Sequence, residues 1–105
     1  MQTATRTDEW QKGAALVSTV LKSVGNERRL LILCQLVANT EMSVSALEAE
    51  LDLSQSALSQ HLARMRADGI LSTRRDGLAI YYRIADARVR ELMATLYDLY
   101  CARSD

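Results

Sequence analysis

The chain of 105 residues contains no proline, only four glycines and a single histidine. It has neither a low-complexity tract nor an internal repeat, so nothing in it resembles a linker to a second module, and we expect one small domain. No run of about 18 apolar residues is present, which argues against a membrane span. The polar start, MQTATRTDEW, is unlike a signal peptide, and we therefore expect a cytoplasmic protein.

Charge of one sign is also missing, because 13 basic residues balance 13 acidic ones. A zero net charge by itself argues against a nucleic-acid-binding protein, but the charges are segregated. Residues 54–90 carry seven arginines against three aspartates, whereas residues 26–53 carry two arginines against five acidic residues. A solvated surface would explain the arginine excess equally well on its own. Here the excess coincides with a helix-turn-helix pattern.

The segment LSQSALSQHLARMR, residues 53–66, is the centre of that pattern. Ser54 is a good N-cap for a helix. One face of this helix can be buried, and it carries Leu58, His61, Leu62 and Met65. The other face carries short or hydrogen-bonding side chains that suit base edges and phosphates. We therefore predict a recognition helix that contacts DNA through Ser54, Gln55, Ser56, Ser59, Gln60 and Arg64.

Flanking segments complete a helix-turn-helix. VSALEAELDL has the apolar spacing of a short helix, and a tight turn joins it to the recognition helix. Gly69 stands in the usual stop position after that helix. We expect the inward-facing His61 to be a packed, hydrogen-bonded residue rather than a ligand or a catalytic base.

A β-hairpin follows in ILSTRRDGLAIYYRI. The pair at 76–77 predicts a type I′ turn, with Leu71 opposite Tyr82. The hairpin then has an apolar face with Leu71, Thr73, Ile80, Tyr82 and Ile84, and a cationic face with Ser72, Arg74, Tyr81 and Arg83. A basic-tipped hairpin after a helix-turn-helix makes a winged helix. Arg74 and Arg75 lie near its tip, where they could reach phosphate or a minor groove.

Three further helices are predicted. Residues 8–24 have amphipathic spacing, Asn26 caps a helix whose run LLILCQLV is central to the core, and a last helix with a broad apolar stripe runs from Asp86 to about Ala102. The predicted fold is mainly α with a small β-hairpin, in the order α1-α2-α3-α4-β1-β2-α5. Residues 1–7 are predicted to be a disordered tail, and 8–105 a winged helix-turn-helix domain for DNA binding and dimerisation.

The segments NERRLLIL, LSQSALSQHLARMRADGIL and YYRI resemble the ArsR/SmtB family of small dimeric bacterial repressors. The resemblance covers roughly residues 16–102. It implies a homodimer formed by the first and last helices. Such a dimer would present two recognition helices about one DNA turn apart to an inverted-repeat operator in double-stranded DNA.

The two cysteines, Cys34 and Cys101, are 67 residues apart and form no CxxC motif. From the residues alone, two structural thiols explain them as well as a functional pair does. We expect no metal site and no cofactor, since SALEAEL lacks the family's third-helix cysteines and the histidines of its last-helix zinc pattern are missing. One cysteine in the second helix and one near the end of the last resembles the persulfide- and redox-sensing branch of the BigR, SqrR and HlyU type. That resemblance implies that Cys34 and Cys101 react with reactive sulfur species or an oxidant and release DNA.

Other functions remain open. The chain could be a constitutive or architectural DNA binder with inert thiols, or an activator that displaces another DNA-bound protein. We do not expect an enzyme, because no carboxylate pair, Ser/His arrangement or phosphate loop is evident.

Overall fold

The computed structural model describes residues 2–102, with side chains from residue 7 onward. Its helices are α1 (Gln2–Val24), α2 (Glu27–Asn39), α3 (Val44–Glu50), α4 (Gln55–Ala67) and α5 (Ala87–Tyr97), and a π-helical turn spans Asp98–Ala102. The strands β1 (Glu41–Ser43), β2 (Leu71–Asp76) and β3 (Ala79–Ile84) form an antiparallel sheet in the order β1-β3-β2. The predicted winged helix-turn-helix, mainly α with a small hairpin, is confirmed.

Helix ends coincide with the capping signals of the sequence. The Asn26 side chain accepts hydrogen bonds from two backbone N–H groups in the first turn of α2, at 3.0 and 3.2 Å. Ser54 Oγ accepts one from the N–H of Ala57 at 3.1 Å, as an N-cap does. Past the end of α4, Gly69 has a φ of +79°, the left-handed conformation that favours glycine. The predicted starts of α2 and α4 and the stop after α4 are therefore confirmed.

The core lies between α2, α4 and the sheet. Its fully buried apolar side chains are Ile32, Leu33, Leu36, Leu47, Leu58, Leu62, Met65, Ile70 and Val89. They include the three apolar residues of the predicted inward face of α4, which is confirmed. Helix α2 is central, as predicted, but one side of it is not covered within the chain, because Leu31 and Cys34 are exposed.

The register of the hairpin differs from the prediction. Leu71 pairs with Ile84, two residues beyond its predicted partner, and the two-residue turn lies at 77–78 rather than 76–77. Gly77 has a φ of +64° and residue 78 does not have a positive φ, as in a type II′ turn and not the predicted type I′. A slip of two residues leaves every side chain on its own face. The predicted apolar and cationic faces of the hairpin are therefore retained.

Strand β1 was not predicted. Its Glu41 lies opposite Arg83 of β3, and its Ser43 lies opposite Tyr81. Three residues are too few for the alternation that identifies a strand in a sequence. Ser43 also caps α3, since its Oγ accepts a hydrogen bond from the N–H of Ala46 at 3.1 Å. The strand thus connects the wing directly to the helix-turn-helix.

The two terminal helices carry exposed apolar side chains. Helix α1 begins at Gln2, so the described part of the segment 1–7 is helical. Helix α5 follows its predicted cap, Asp86, whose side chain accepts a hydrogen bond from the N–H of Arg88 at 2.9 Å. The large exposed apolar residues among the described side chains of these elements are Trp10, Leu16, Val17, Leu21, Tyr97, Leu99 and Tyr100. An apolar groove runs between α1 and α5. Among the described residues, no helix is both long and apolar enough to cross a membrane.

Candidate DNA interface and cysteine pair

The outward face of α4 presents a row of polar side chains. Gln55, Ser56, Ser59 and Gln60 are all exposed, while the opposite face of the same helix is buried in the core. The predicted set is therefore brought together on one surface by a helix whose position is fixed by its apolar side. Amide and hydroxyl groups so placed can donate to and accept from base edges in a major groove.

Ser54 and Arg64 lie at the two ends of α4 and differ from that row. The Ser54 hydroxyl accepts the capping bond, but it can still donate its own proton to a phosphate. The Nε of Arg64 donates to Asp68 Oδ2 at 2.9 Å. This hydrogen bond is the main cause that holds the pKa of Asp68 below its usual range. Arg64 is therefore paired within the chain and separated from the N-terminal residues of the helix.

The two predicted wing arginines have different surroundings. Arg74 donates to the carboxylate of Glu41 from Nε at 3.0 Å and from Nη2 at 2.6 Å, and its guanidinium carbon lies 4.6 Å from the centre of the Tyr81 ring. Arg75 is exposed, lies opposite Ile80, and forms no ion pair with any residue that the structure describes. Of these two arginines, Arg74 is held by a carboxylate, and Arg75 is exposed with no ion pair to a described residue.

Sequence reasoning missed a contact between α2 and α4. The Nε of Arg29 donates to Nδ1 of His61 at 3.1 Å, and its Nη1 donates to the carbonyl of Ser23 at 3.0 Å. Partial burial, followed by the charges of Arg29 and Arg28, lowers the pKa of His61, which favours a neutral acceptor at Nδ1. The prediction of a packed, hydrogen-bonded histidine is confirmed. Arg29, in the first turn of α2, therefore links the C-terminal end of α1 to the recognition helix through these two hydrogen bonds.

The two cysteines lie in the same region of the fold. Cys34 is on the exposed side of α2, Cys101 is in the π-helical turn after α5, and α2 packs against α5. Both are thiols in this structure. Partial burial raises the pKa of Cys34, and electrostatic repulsion from Cys101 raises it further.

The described residues include no group of three or more His, Cys, Asp or Glu side chains that could hold a metal ion. The surfaces that stand out are instead the polar face of α4, the arginines of the hairpin and the cysteine pair. A helix that buries its apolar face and exposes a polar one, followed by a basic hairpin, defines the class of winged-helix DNA-binding transcription regulators.

Comparison with known proteins identifies the family. Residues 26–73 match the family described as "Bacterial regulatory protein, arsR family". The chain is 45% identical to the transcriptional activator HlyU of Vibrio cholerae over 93 residues, which cover 89% of this chain and 85% of that protein. It is 41% identical to the biofilm growth-associated repressor of Agrobacterium fabrum over 92 residues, covering 88% and 78%. The chain belongs to the ArsR family of winged-helix regulators.

Solved structures agree with this assignment. The repressor BigR from Xylella fastidiosa superimposes with a TM-score of 0.84 at 36% identity, covering 92% of this chain and 98% of that one. Reduced HlyU from Vibrio cholerae superimposes with a TM-score of 0.82 at 45% identity, covering 89% and 97%. These relatives are transcription regulators and not enzymes. The expectation that this chain is not an enzyme is confirmed.

Proposed function

We propose that this regulator is a cytoplasmic, homodimeric repressor that binds an inverted-repeat operator and is released when Cys34 and Cys101 react with persulfide, polysulfide or another oxidant. The observation that carries the DNA-binding half is α4, which buries one face and exposes a polar one. The observation that supports the sensing half is that Cys34 lies on α2 and Cys101 in the turn after α5, and that α2 and α5 pack together. Measuring operator affinity before and after polysulfide treatment tests the two halves together.

The dimer is supported by the exposed apolar surface of the terminal helices. The groove between α1 and α5 is lined mainly by apolar residues, namely Leu16, Val17, Val20, Leu21, Val89 and Leu92. A small domain that leaves so much apolar surface uncovered gains stability by pairing. Successive major grooves on one side of the DNA are about 34–36 Å apart, and a two-fold dimer formed through these helices would present one copy of α4 to each.

Reading of bases is assigned to Gln55, Ser56, Ser59 and Gln60. We expect Gln60→Ala to weaken binding to the specific operator by about 1–3 kcal/mol and to leave binding to random DNA nearly unchanged, because an amide that pairs with a base edge carries sequence information. The operator is first selected from a random-sequence library, and both affinities are measured at one salt concentration. Gln11→Ala, at an exposed glutamine of α1, is the control. Equal losses on both DNAs would remove Gln60 from the base-reading set.

The wing is assigned to sequence-independent contacts with phosphates. We expect Arg75→Ala to flatten the slope of log affinity against log salt concentration by about one unit for each half-site. Each phosphate that Arg75 no longer contacts retains its counterion, so fewer counterions are released on binding. Titrations between low and moderate salt on random DNA measure this slope. Lys12→Ala removes a positive charge from α1 instead and should not change it. A slope that Arg75→Ala leaves as it was would place the wing off the DNA.

The proposed switch is a two-electron oxidation of the dithiol, with polysulfide as the oxidant. One cysteine thiolate attacks the polysulfide and takes up a two-sulfur fragment, and a shorter polysulfide leaves. The second thiolate then attacks the sulfur next to the first cysteine's own, a new S–S bond forms, and hydrosulfide leaves. The product bridges the cysteines through one inserted sulfur. Because Cys34 belongs to α2 and Cys101 follows α5, the bridge would tie the core helix to a terminal helix.

Strain where α2 is tied to the turn after α5 is the means by which the bridge would lower the affinity for DNA. Arg29 lies on α2 and holds His61 of α4, so a shift of α2 is transmitted to the recognition helix. The spacing of the two recognition helices needs to change only slightly for the affinity to fall by about 1–3 kcal/mol.

A second candidate is a regulator of the same family with inert thiols, either a constitutive DNA binder or an activator that displaces another protein. The similarity to HlyU of Vibrio cholerae, a transcriptional activator, supports the activator form of this candidate. Operator affinity that polysulfide leaves unchanged would select this candidate over the dithiol switch.

A further inference from the structure

The ion pair between Glu41 and Arg74 links two strands that are not neighbours. Glu41 lies in β1 and Arg74 in β2, and β3 runs between them. Three donor–acceptor contacts of 2.6 to 3.1 Å join the guanidinium to the two carboxylate oxygens. Such a two-pronged pair is the geometry by which arginine also binds phosphate. The carboxylate thus occupies the Nε and Nη2 edge of the guanidinium, one edge that a DNA phosphate could use, while Nη1 lies 3.8 Å from the carboxylate of Asp76.

Glu41 is surrounded by positive charge on the cationic face of the sheet. It lies directly opposite Arg83 of β3 while it binds Arg74 of β2. The hydrogen bond from Arg74 is the largest cause of the lowered pKa of Glu41; burial opposes it, and the charges of Arg74 and Arg83 lower the pKa further. The carboxylate is therefore ionised throughout the neutral range, and its negative charge is a permanent part of the wing.

We propose that Glu41 is a built-in competitor for DNA phosphate, which holds Arg74 and thereby limits the wing's affinity for non-specific DNA. The inference rests on the proposed binding of the wing to DNA. A phosphate that binds the Nε and Nη2 edge of Arg74 must displace Glu41, and one that binds elsewhere on the guanidinium meets a charge that Glu41 already partly neutralises, so the gain from the new contact is reduced in either case. Arg75 has no such competitor among the described residues. Arg74 should therefore contribute less than Arg75 to the salt dependence of binding.

Glu41→Gln tests the competition, because glutamine has nearly the same shape and lacks the charge. We expect the salt slope on random DNA to steepen by about 0.9 for each wing in contact, equivalent to about a threefold additional gain in affinity per wing over a fourfold drop in salt concentration. Glu91→Gln, at an exposed residue of α5, removes the same charge elsewhere and should leave the slope unchanged. Exposed ion pairs contribute little to stability, so thermal unfolding should show both variants folded.

Arg74→Ala provides the second measurement. It should flatten the slope only slightly in the wild-type background, and by up to about one unit per wing in the Glu41→Gln background, where Arg74 keeps its 3.8 Å contact with Asp76 but loses its charged partner Glu41. If Glu41→Gln leaves the slope unchanged or weakens binding while the wild type binds DNA with an Arg75-dependent slope, Glu41 only braces the wing and the inference is wrong. Failure of the wild type itself to bind DNA would instead overturn the proposed function.

Discussion

Polysulfide should abolish operator binding by the reduced protein, and neither Cys34→Ser nor Cys101→Ser should respond to it. Both variants should bind the operator normally when reduced, because neither residue lies on α4 or in the wing. Sensing and DNA binding are then separable by mutation. The measurement is operator affinity before and after treatment, for the wild type and each variant.

Intact mass identifies the product. With only two cysteines in the chain, a bridge within one subunit gives a species of monomer mass that has gained sulfur and lost two hydrogens. The double variant Cys34→Ser/Cys101→Ser is the control and should keep its mass. Bonds formed only between subunits, or a Cys101→Ser variant that still releases DNA, would disprove the dithiol mechanism.

Hydrogen peroxide reports the length of the bridge. A direct disulfide requires Cα atoms about 4.4–6.8 Å apart, and each inserted sulfur adds roughly 2 Å of reach. Release by polysulfide but not by peroxide would show that an inserted sulfur is needed. Release by both would show that a plain disulfide suffices.

The rate of the switch should rise with pH. A thiolate is the attacking species, and both burial and the nearby Cys101 raise the pKa of Cys34, so Cys34 is a neutral thiol at pH 7 and ionises only in more alkaline solution. In the Cys101→Ser variant the repulsion is removed but the burial, the larger cause, is retained. The pKa of Cys34, followed by the pH dependence of its alkylation, should then fall without returning to the ordinary value.

Leu62→Ala should destabilise the protein more than any change on the outer face of α4. Its side chain is 1% exposed and packs among the core residues, so its truncation leaves a cavity and should lower the free energy of unfolding by about 2–5 kcal/mol. That is a large part of the roughly 5–15 kcal/mol typical of a folded domain. Urea unfolding at a fixed protein concentration measures it, since dimerisation makes the midpoint depend on concentration.

Gln60→Ala is the matched comparison, two residues earlier on the same helix. Because Gln60 is exposed, its truncation should change the free energy of unfolding by no more than about 0.5 kcal/mol, while operator affinity falls. A cost below about 1 kcal/mol for Leu62→Ala would mean that the buried face of α4 does not hold the recognition helix in place.

Local signals were sufficient for most of the helices. Asn26 and Ser54 accept capping hydrogen bonds from N–H groups two or three residues further along the chain, and Gly69 lies two residues after the end of α4. The two faces of α4 follow from a period of 3.6 residues. Each of these features depends only on neighbours along the chain, and for this reason the sequence could predict them.

Short β-structure was harder to predict. The pair at 76–77 resembles a hairpin turn, but cross-strand packing places the turn at 77–78. Strand β1 is formed because β3 is there to pair with it, and its three residues carry no periodic signal. Register and edge strands are decided by partners elsewhere in the chain, so the faces of the hairpin could be predicted while its alignment could not.

The sequence by itself determined the helix-turn-helix, the wing, the inward face of α4 and the residues of its outer face. The contacts of Glu41 with Arg74 and of Arg29 with His61 join residues more than 30 positions apart, and only the tertiary structure revealed them. The same is true of the packing of α2 against α5, which brings together the elements that carry Cys34 and Cys101; the resemblance to a sensing branch implied their pairing, but no local pattern could show it. Helical periodicity and capping are properties of adjacent residues, whereas ion pairs and thiol proximity depend on how α2, α4, α5 and the sheet pack together.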